Sequence, residues 1–313
     1  MISVLSSLEL CMRLGLVYSI LAMGYYVSYT ILDFPDLTTE GSYLSGAVVY
    51  GILVTHGVSG ALAVAAAAAV GALCGALTGV LNVKLKIRPL LCGILVSTAL
   101  ISLNLIATSA GAASLAGEFD LSGGLYSTIN LAQCEFAIKN TFPFSLIPAR
   151  VGAFQPRADV IFLVFALFCK LALDLFFKTR RGMLLRAAGE NPSFVCALSR
   201  DPGRSRILGL AIGNAMAAVT GALYTTVSGN VNQSMGVGMV VIGLGSLMIG
   251  ISVFRRVRFL QNTTKVMLGA ILYQGCLVAA SMLGVPSAYN KLIMAVLFTA
   301  ALVMSRGGKE TAK

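Results

Sequence analysis

The sequence predicts an all-α fold, a polytopic membrane bundle of about eight spans with a further re-entrant or broken helix at 40–56. Three observations carry that reading. Of the 313 residues, 57% are hydrophobic and only 11% charged, whereas a soluble domain carries about 25% charged residues. Apolar runs of roughly 20 residues, the length that crosses a bilayer, recur along the whole chain. These runs are rich in Leu, Ala, Ile and Val and lack the period-two alternation of barrel strands, so helices are the spanning elements.

The spans fall at Leu10 to Ile31, Gly60 to Val83, Leu90 to Ala110, Val160 to Phe177, Ile207 to Val227, Val237 to Phe254, Val266 to Leu283 and Ala288 to Met304. A weaker apolar run lies at Glu40 to His56. The whole of 1–313 reads as one transmembrane domain, with a basic segment at 178–206 and a long loop at 111–157. No basic leader with a cleavage site opens the chain, so the first run is expected to remain as a span.

Charge orients the bundle. Lys84, Lys86 and Arg88, the seven basic residues of 178–206, then Arg255, Arg256, Arg258 and Lys265, and finally Arg306, Lys309 and Lys313 all fall on one side. Lys139, Arg150, Arg157 and Lys291 fall on the other. Basic residues concentrate on the cytoplasmic side of membrane proteins, so the larger set is cytoplasmic and 111–157 is external. The net charge of +11 therefore reflects topology and not nucleic-acid binding. The second span then runs inward. Either 40–56 is re-entrant and the N-terminal end is cytoplasmic, or 40–56 crosses and that end is external.

Small residues predict where helices touch. Ala63, Ala67, Gly71, Gly75 and Gly79 recur every four residues and share one helix face, which lets backbones approach closely. Gly209 and Gly213 repeat the spacing. In the outer loop, "LYSTINLAQCEFAI" has the pattern of an amphipathic interfacial helix.

The basic segment "KTRRGMLLRAAGENPSFVCALSRDPGRSR" is longer than the roughly 2–8 residues that link bundle helices. Pro192 biases Asn191 out of the helical region and suits the first turn of a new helix that Asn191 can cap. Phe194, Val195 and Leu198 give that short helix an apolar side. A helix lying on the membrane surface near anionic lipid headgroups and a helix docked in a partner's groove both fit these residues.

Chemistry-bearing constellations are sparse. The seven cysteines are scattered singly, without a CxxC or Cys/His cluster, so no disulfide framework and no metal site is expected. No phosphate-binding GxxxxGK[ST] loop occurs, so the chain does not hydrolyse ATP by itself; no cofactor is expected. His56 ends an apolar run as an interfacial residue or, less simply, a proton relay. Lys170 and Asp174 stand at i, i+4 inside a span, where a lone charge costs about 2.5–3.5 kcal/mol and pairing relieves it. Polar residues in or beside spans mark a candidate translocation path: Asp36, Thr38, Thr39, Ser42, Ser97, Thr98, Asn104, Asn214, Thr220 and Asn232. Together they describe a mildly polar route suited to neutral or zwitterionic solutes; interhelical hydrogen bonding is the alternative for each.

Four stretches resemble a known family in its own order: "DFPDLTTEGSYLSGAVV", "LLCGILVSTALISLNL", "KLALDLFFKTRRGMLLRAAGENPSFVCALSRDPGRSRILGLAIGNAMAAVTGAL" and "VNQSMGVGMVVIGLGSLMIG". They are similar to the permease subunits of ABC importers of the branched-chain amino acid and ribose permease family, and most narrowly to tryptophan/tyrosine-type permeases. The resemblance implies a partner ABC ATPase in the cytoplasm, an extracytoplasmic solute-binding protein or lipoprotein, a second permease copy and a site in the cytoplasmic (inner) membrane. It also implies that Arg186, Gly189, Glu190, Asn191, Pro192 and Leu198 couple the bundle to the ATPase. Two departures stand out: Ile251 follows Gly250 where the family carries an acidic residue shortly after, and Ala197-Leu198-Ser199 replaces Ala-Leu-Gly. A stand-alone secondary transporter would need buried ion-coupling carboxylates, of which Asp174 is the clearest. A membrane enzyme acting on lipid would need paired acids, for which Glu118, Asp120 and Glu135 are the loose candidates.

Overall fold

A computed structural model of the chain describes residues 2–116, 128–131, 156–197, 201–255, 257, 259–282, 289 and 292–299. In chain order the elements are α1 (Ile2–Tyr25), a π-helical turn (Tyr26–Ile31), α2 (Thr38–Thr55), α3 (Gly60–Lys84), α4 (Pro89–Ala116), β1 (Thr128–Asn130), α5 (Pro156–Lys178), α6 (Arg180–Glu190), α7 (Pro192–Ala197), α8 (Pro202–Ser228), β2 (Asn230–Asn232), a 3₁₀ turn (Gln233–Gly236), α9 (Met239–Val253) and α10 (Asn262–Met282). Seven segments among the described residues are helical, long and apolar enough to cross a membrane, and they coincide with the first seven expected spans. Of the eighth, only 292–299 is described, and it is helical.

The single domain expected over 1–313 is built as two compact units interleaved in sequence. One holds Met1–Tyr26, Phe142–Asp174 and Val240–Lys313; the other holds Val27–Thr141 and Leu175–Met239.

In the first unit α1 lies antiparallel to α10. Gly15 sits so close to Ile271 that an added Cβ would fall 2.9 Å from its Cα. Arg13 donates to Asp159 at 2.8 Å, in the first turn of α5 just after the 111–157 loop. At the other end of α1, Asn262, the first residue of α10, donates to the Tyr26 hydroxyl at 3.3 Å. So α1 begins on the side of the 111–157 loop and ends on the side of the basic 255–265 segment.

In the second unit α2 is the central helix, buried along almost its whole length. Its partners set its direction. Asp36 meets Asn214, Tyr43 meets Gly221, and Gly51 meets Val231 just beyond α8, so α2 runs parallel to α8. The α3 face predicted from small-residue spacing is buried against α8: Gly71, Gly75 and Gly79 lie on the backbones of Asn214, Leu210 and Ile207 in turn, an antiparallel contact that any side chain there would push apart.

The interruption expected at 40–56 falls ahead of it. Residues 38–55 form one continuous helix of 18 residues, about 27 Å long, and the non-helical stretch is 32–37, preceded by the π turn. Of the two topologies open in the sequence, these contacts favour the crossing one, with the N-terminal end of α1 on the external side.

A second difference concerns the outer loop. Residues 128–130 within the expected amphipathic helix are a strand, paired antiparallel with β2 through Ile129↔Val231. The partner lies about a hundred residues away in sequence, and local periodicity carries no trace of such pairing.

The topology is checked by labelling. In intact cells a membrane-impermeant thiol reagent should modify Leu8→Cys on α1 and leave Met183→Cys on α6 untouched until the membrane is opened; both positions are more than half exposed. The reverse pattern would overturn this arrangement.

Candidate functional site

Two sites stand in the second unit. The first is the α6–α7 platform. Thr179 caps α6 by accepting a hydrogen bond from the Gly182 amide at 3.2 Å. Asn191 ends α6 and caps α7, its side chain accepting from the Phe194 amide at 3.1 Å; this is the role its position before Pro192 suggests. Gly182, Leu185, Ala188 and Val195 are buried inward. Arg181, Met183, Arg186, Glu190, Asn191, Ser193, Phe194 and Cys196 are exposed. The result is an amphipathic face with apolar Met183 and Phe194 set among charges.

Among the expected coupling residues, Arg186, Glu190 and Asn191 lie on this exposed face, and Pro192 opens α7 half-buried. The Arg186 guanidinium also stacks 4.5 Å over the Phe177 ring, a contact of about 0.5–1 kcal/mol at exposed sites. Gly189 packs inward. A Cβ there would collide with the carbonyl oxygen of Ile31, so this glycine seats the end of α6 against the backbone where the π turn ends. Leu198 lies outside the described residues.

The second site is a buried polar junction where α2 begins. The Asn214 amide donates to Asp36 at 2.6 Å and to its own helix carbonyl at Leu210 at 2.9 Å. Its oxygen accepts from Ser42 at 2.7 Å. The other Asp36 oxygen accepts from the Thr38 amide at 2.9 Å, capping the first turn of α2. Thr38 shares a hydrogen bond with Thr78 of α3 at 2.8 Å, and Thr39 donates to the Asp36 carbonyl at 3.1 Å. Asp36, Thr38, Thr39, Ser42, Thr78 and Asn214 are all buried. Asn104 reaches the same helix from α4, donating to the Gly41 carbonyl at 3.3 Å.

So Asp36, Thr38, Thr39, Ser42, Asn104 and Asn214 come together, as a knot that joins α2, α3, α4 and α8. The other candidate path residues are elsewhere. Thr220 is buried and bonds its own helix at Met216. Ser97 is half-buried. Thr98 faces outward and bonds Ile94. Asn232 caps the 3₁₀ turn by accepting from the Ser234 amide. Thr78 and Glu40, whose carboxylate accepts from the Gly238 amide at 3.0 Å, were not singled out in the sequence. The Thr78 hydroxyl sits one residue from the glycine stripe, a position that would have placed it beside a partner helix.

Two sets of charges pair in the first unit. Lys170 and Asp174 form the expected i, i+4 bridge at 3.1 Å, and Thr263 donates to the other Asp174 oxygen at 2.7 Å. Arg13 bridges both Glu9 and Asp159.

Seven long apolar helices among the described residues mark a multi-pass membrane protein. The sequence matches the family described as branched-chain amino acid transport system / permease component over residues 7–302, and the chain belongs to that family. It is 35% identical over 291 residues to a protein of Clostridioides difficile (strain R20291) described as a tyrosine transport system permease protein, a match covering 93% of this chain and 88% of the relative. It is also 30% identical over 234 residues to an uncharacterized protein of Rickettsia prowazekii (strain Madrid E), covering 75% of this chain and 73% of that one. No solved structure matches it.

The junction makes a sharp prediction. Asp36→Asn sets two amide donors face to face, and Asn214→Asp sets two carboxylates together; each should cost at least about 1–3 kcal/mol. In the double variant the donor and acceptor exchange places, so part of the loss should return. Thermal unfolding in detergent across this cycle reads the coupling, and additive losses would refute the contact.

Proposed function

We propose that the chain is the membrane-spanning subunit of an ATP-driven importer in the cytoplasmic membrane. A solute-binding protein delivers a small neutral or zwitterionic solute to the external face, and a cytoplasmic ABC ATPase supplies the work. Two permease copies enclose the path. An amino acid is the favoured solute: the family description and the 35% identical relative both concern amino acid transport. Tyrosine or another aromatic amino acid is the first candidate.

The observation that carries the ATPase partnership is the α6–α7 platform. Its apolar exposed residues, Met183 and Phe194, are each 55% exposed, while its inward face is anchored by capped helix ends and by Gly189 on Ile31. A short helix that is rigidly seated and presents an apolar tip among charges suits a groove on a soluble partner. Closure of that partner would press on α6, and the Gly189 contact passes the displacement to the backbone leading into α2. The chain itself transports and catalyses no reaction in this reading.

Phe194→Asp tests it. The side chain is exposed, so stability should change by no more than about 0.5 kcal/mol. Capture of the ATPase and ATP-driven uptake of tyrosine in proteoliposomes should both fall at least about tenfold, as expected of an anchor residue. Unchanged ATPase capture by the inserted variant would overturn the assignment of this face.

A further inference from the structure

Between β2 and α9 the chain passes through the 3₁₀ turn Gln233–Gly236 and the two turn residues Val237 and Gly238, deep beside its neighbours. Val231 packs at Gly51, toward the external end of α2. Five residues later Gly236 lies against Glu40 in the first turn of α2, where an added Cβ would be 2.7 Å from the Glu40 carbonyl oxygen. Gln233 donates its side-chain amide to the Ile101 carbonyl at 2.8 Å. Ile101 stands near the middle of the candidate span Pro89–Gly111, roughly 15–18 Å from either end. The stretch 233–238 therefore sits near mid-membrane.

Non-helical backbone at such depth is tolerated only where protein buries it or water reaches it. Here the chain leaves it open. Ser234 is exposed, Val237 is 60% exposed, and Gln233, Met235 and Gly238 are half-buried. Gly238 has φ of +92°, and a Cβ built on it meets nothing within 4 Å. Beside this stretch α4 exposes two hydroxyls one turn apart, Thr98 and Ser102, while burying Thr108 and Ser109. These hydroxyls stand among exposed Ile94, Leu95 and Ile101 on α4, beside the turn at Val237 and Gly238.

We propose that 233–238 and the Thr98–Ser102 face of α4 form a water-lined wall of the translocation path, where a solute in transit meets hydroxyls, amides and backbone N–H groups at mid-membrane. The Glu40 carboxylate accepts from the Gly238 amide, so the acid nearest the wall is already engaged by backbone. That chemistry takes a neutral or zwitterionic solute. The proposal rests on the transport reading above and adds the place within the bundle. It also separates the path residues: Thr98 and Asn232 belong to or border the wall, whereas Thr38, Ser42, Asn214 and Thr220, sealed between helices, frame it.

Cysteine accessibility tests the wall in native membranes. Ser234→Cys, Val237→Cys and Ser102→Cys are compared with Leu73→Cys, an exposed apolar position on α3 of the same unit. Labelling at each position is read by peptide mass spectrometry, so the native cysteines stay in place. The cysteine thiolate, which forms only where water reaches, attacks the sulfur of a charged, impermeant methanethiosulfonate and displaces methanesulfinate. The wall positions should react at least about tenfold faster than Leu73→Cys. If Ser234→Cys and Val237→Cys react no faster than Leu73→Cys with the charged reagent, while a lipophilic maleimide modifies all of them, the wall is dry and the proposal is overturned. ATP-driven uptake by the unmodified chain is measured separately, so this inference and the importer reading can fail independently.

Discussion

Asp36 is buried and held by the Asn214 side chain and the Thr38 amide. A carboxylate taken out of water without hydrogen-bond partners would cost several kcal/mol. Here each oxygen has a donor, and each donor belongs to a different constraint. The Thr38 amide is one that helix geometry leaves without a partner, so Asp36 marks where α2 begins. The Asn214 side chain belongs to α8, so the same carboxylate fixes α2 against that helix. Ser42, Thr38 and Thr78 extend the knot to the next turn of α2 and to α3. A helix can start in the interior of a membrane protein only when its first turn is satisfied this way.

Once α2 is held there, close packing follows. Gly46 lies on the Ala218 backbone and Gly221 on the Tyr43 backbone; Gly71, Gly75 and Gly79 bring α3 to the other side of α8. Lipid offers no hydrophobic drive for helices to associate, so such contacts rely on dispersion and on short polar links between backbones. The tight core is what the proposed coupling would use to carry a displacement of α6 to the stretch leading into α2. Ile31 rests on Gly189 of α6, and Leu32 packs against Gly209 of α8. Displacing α6 cannot be absorbed by soft side chains there, because backbone meets backbone.

Much of this was legible in the sequence because it depends on local spacing. The small-residue stripe on α3, the Lys170–Asp174 pair and the Asn191-Pro192 cap each follow from residues within a few turns of one another. The junction was only half legible. Asp36, Ser42 and Asn214 could be recognised as polar residues in an apolar context, yet nothing local says that the Asn214 amide reaches Asp36 across 178 positions. The strand at 128–130 was misjudged for the same reason. Gly189 shows another limit: the sequence marks the glycine, but only the position of the Ile31 carbonyl reveals the close packing it permits. The π turn at Tyr26–Ile31 leaves no periodic signature in six residues.

The two units handle charge in opposite ways, and that contrast bears on what can pass. In the first, Arg13 engages two carboxylates and Asp174 engages both Lys170 and Thr263. Such pairs neutralise the cost of charge in a span, but they are poor stations for a moving solute, since breaking one exposes an unpaired ion. In the second, the described spans carry hydroxyls and amides, and its two carboxylates at the start of α2 are engaged by Asn214, the Thr38 amide and the Gly238 amide. On the importer reading proposed above, a zwitterion passing such a region would meet oriented dipoles and would have no ion pair to break, the condition a conduit needs if its cargo is to leave as readily as it enters.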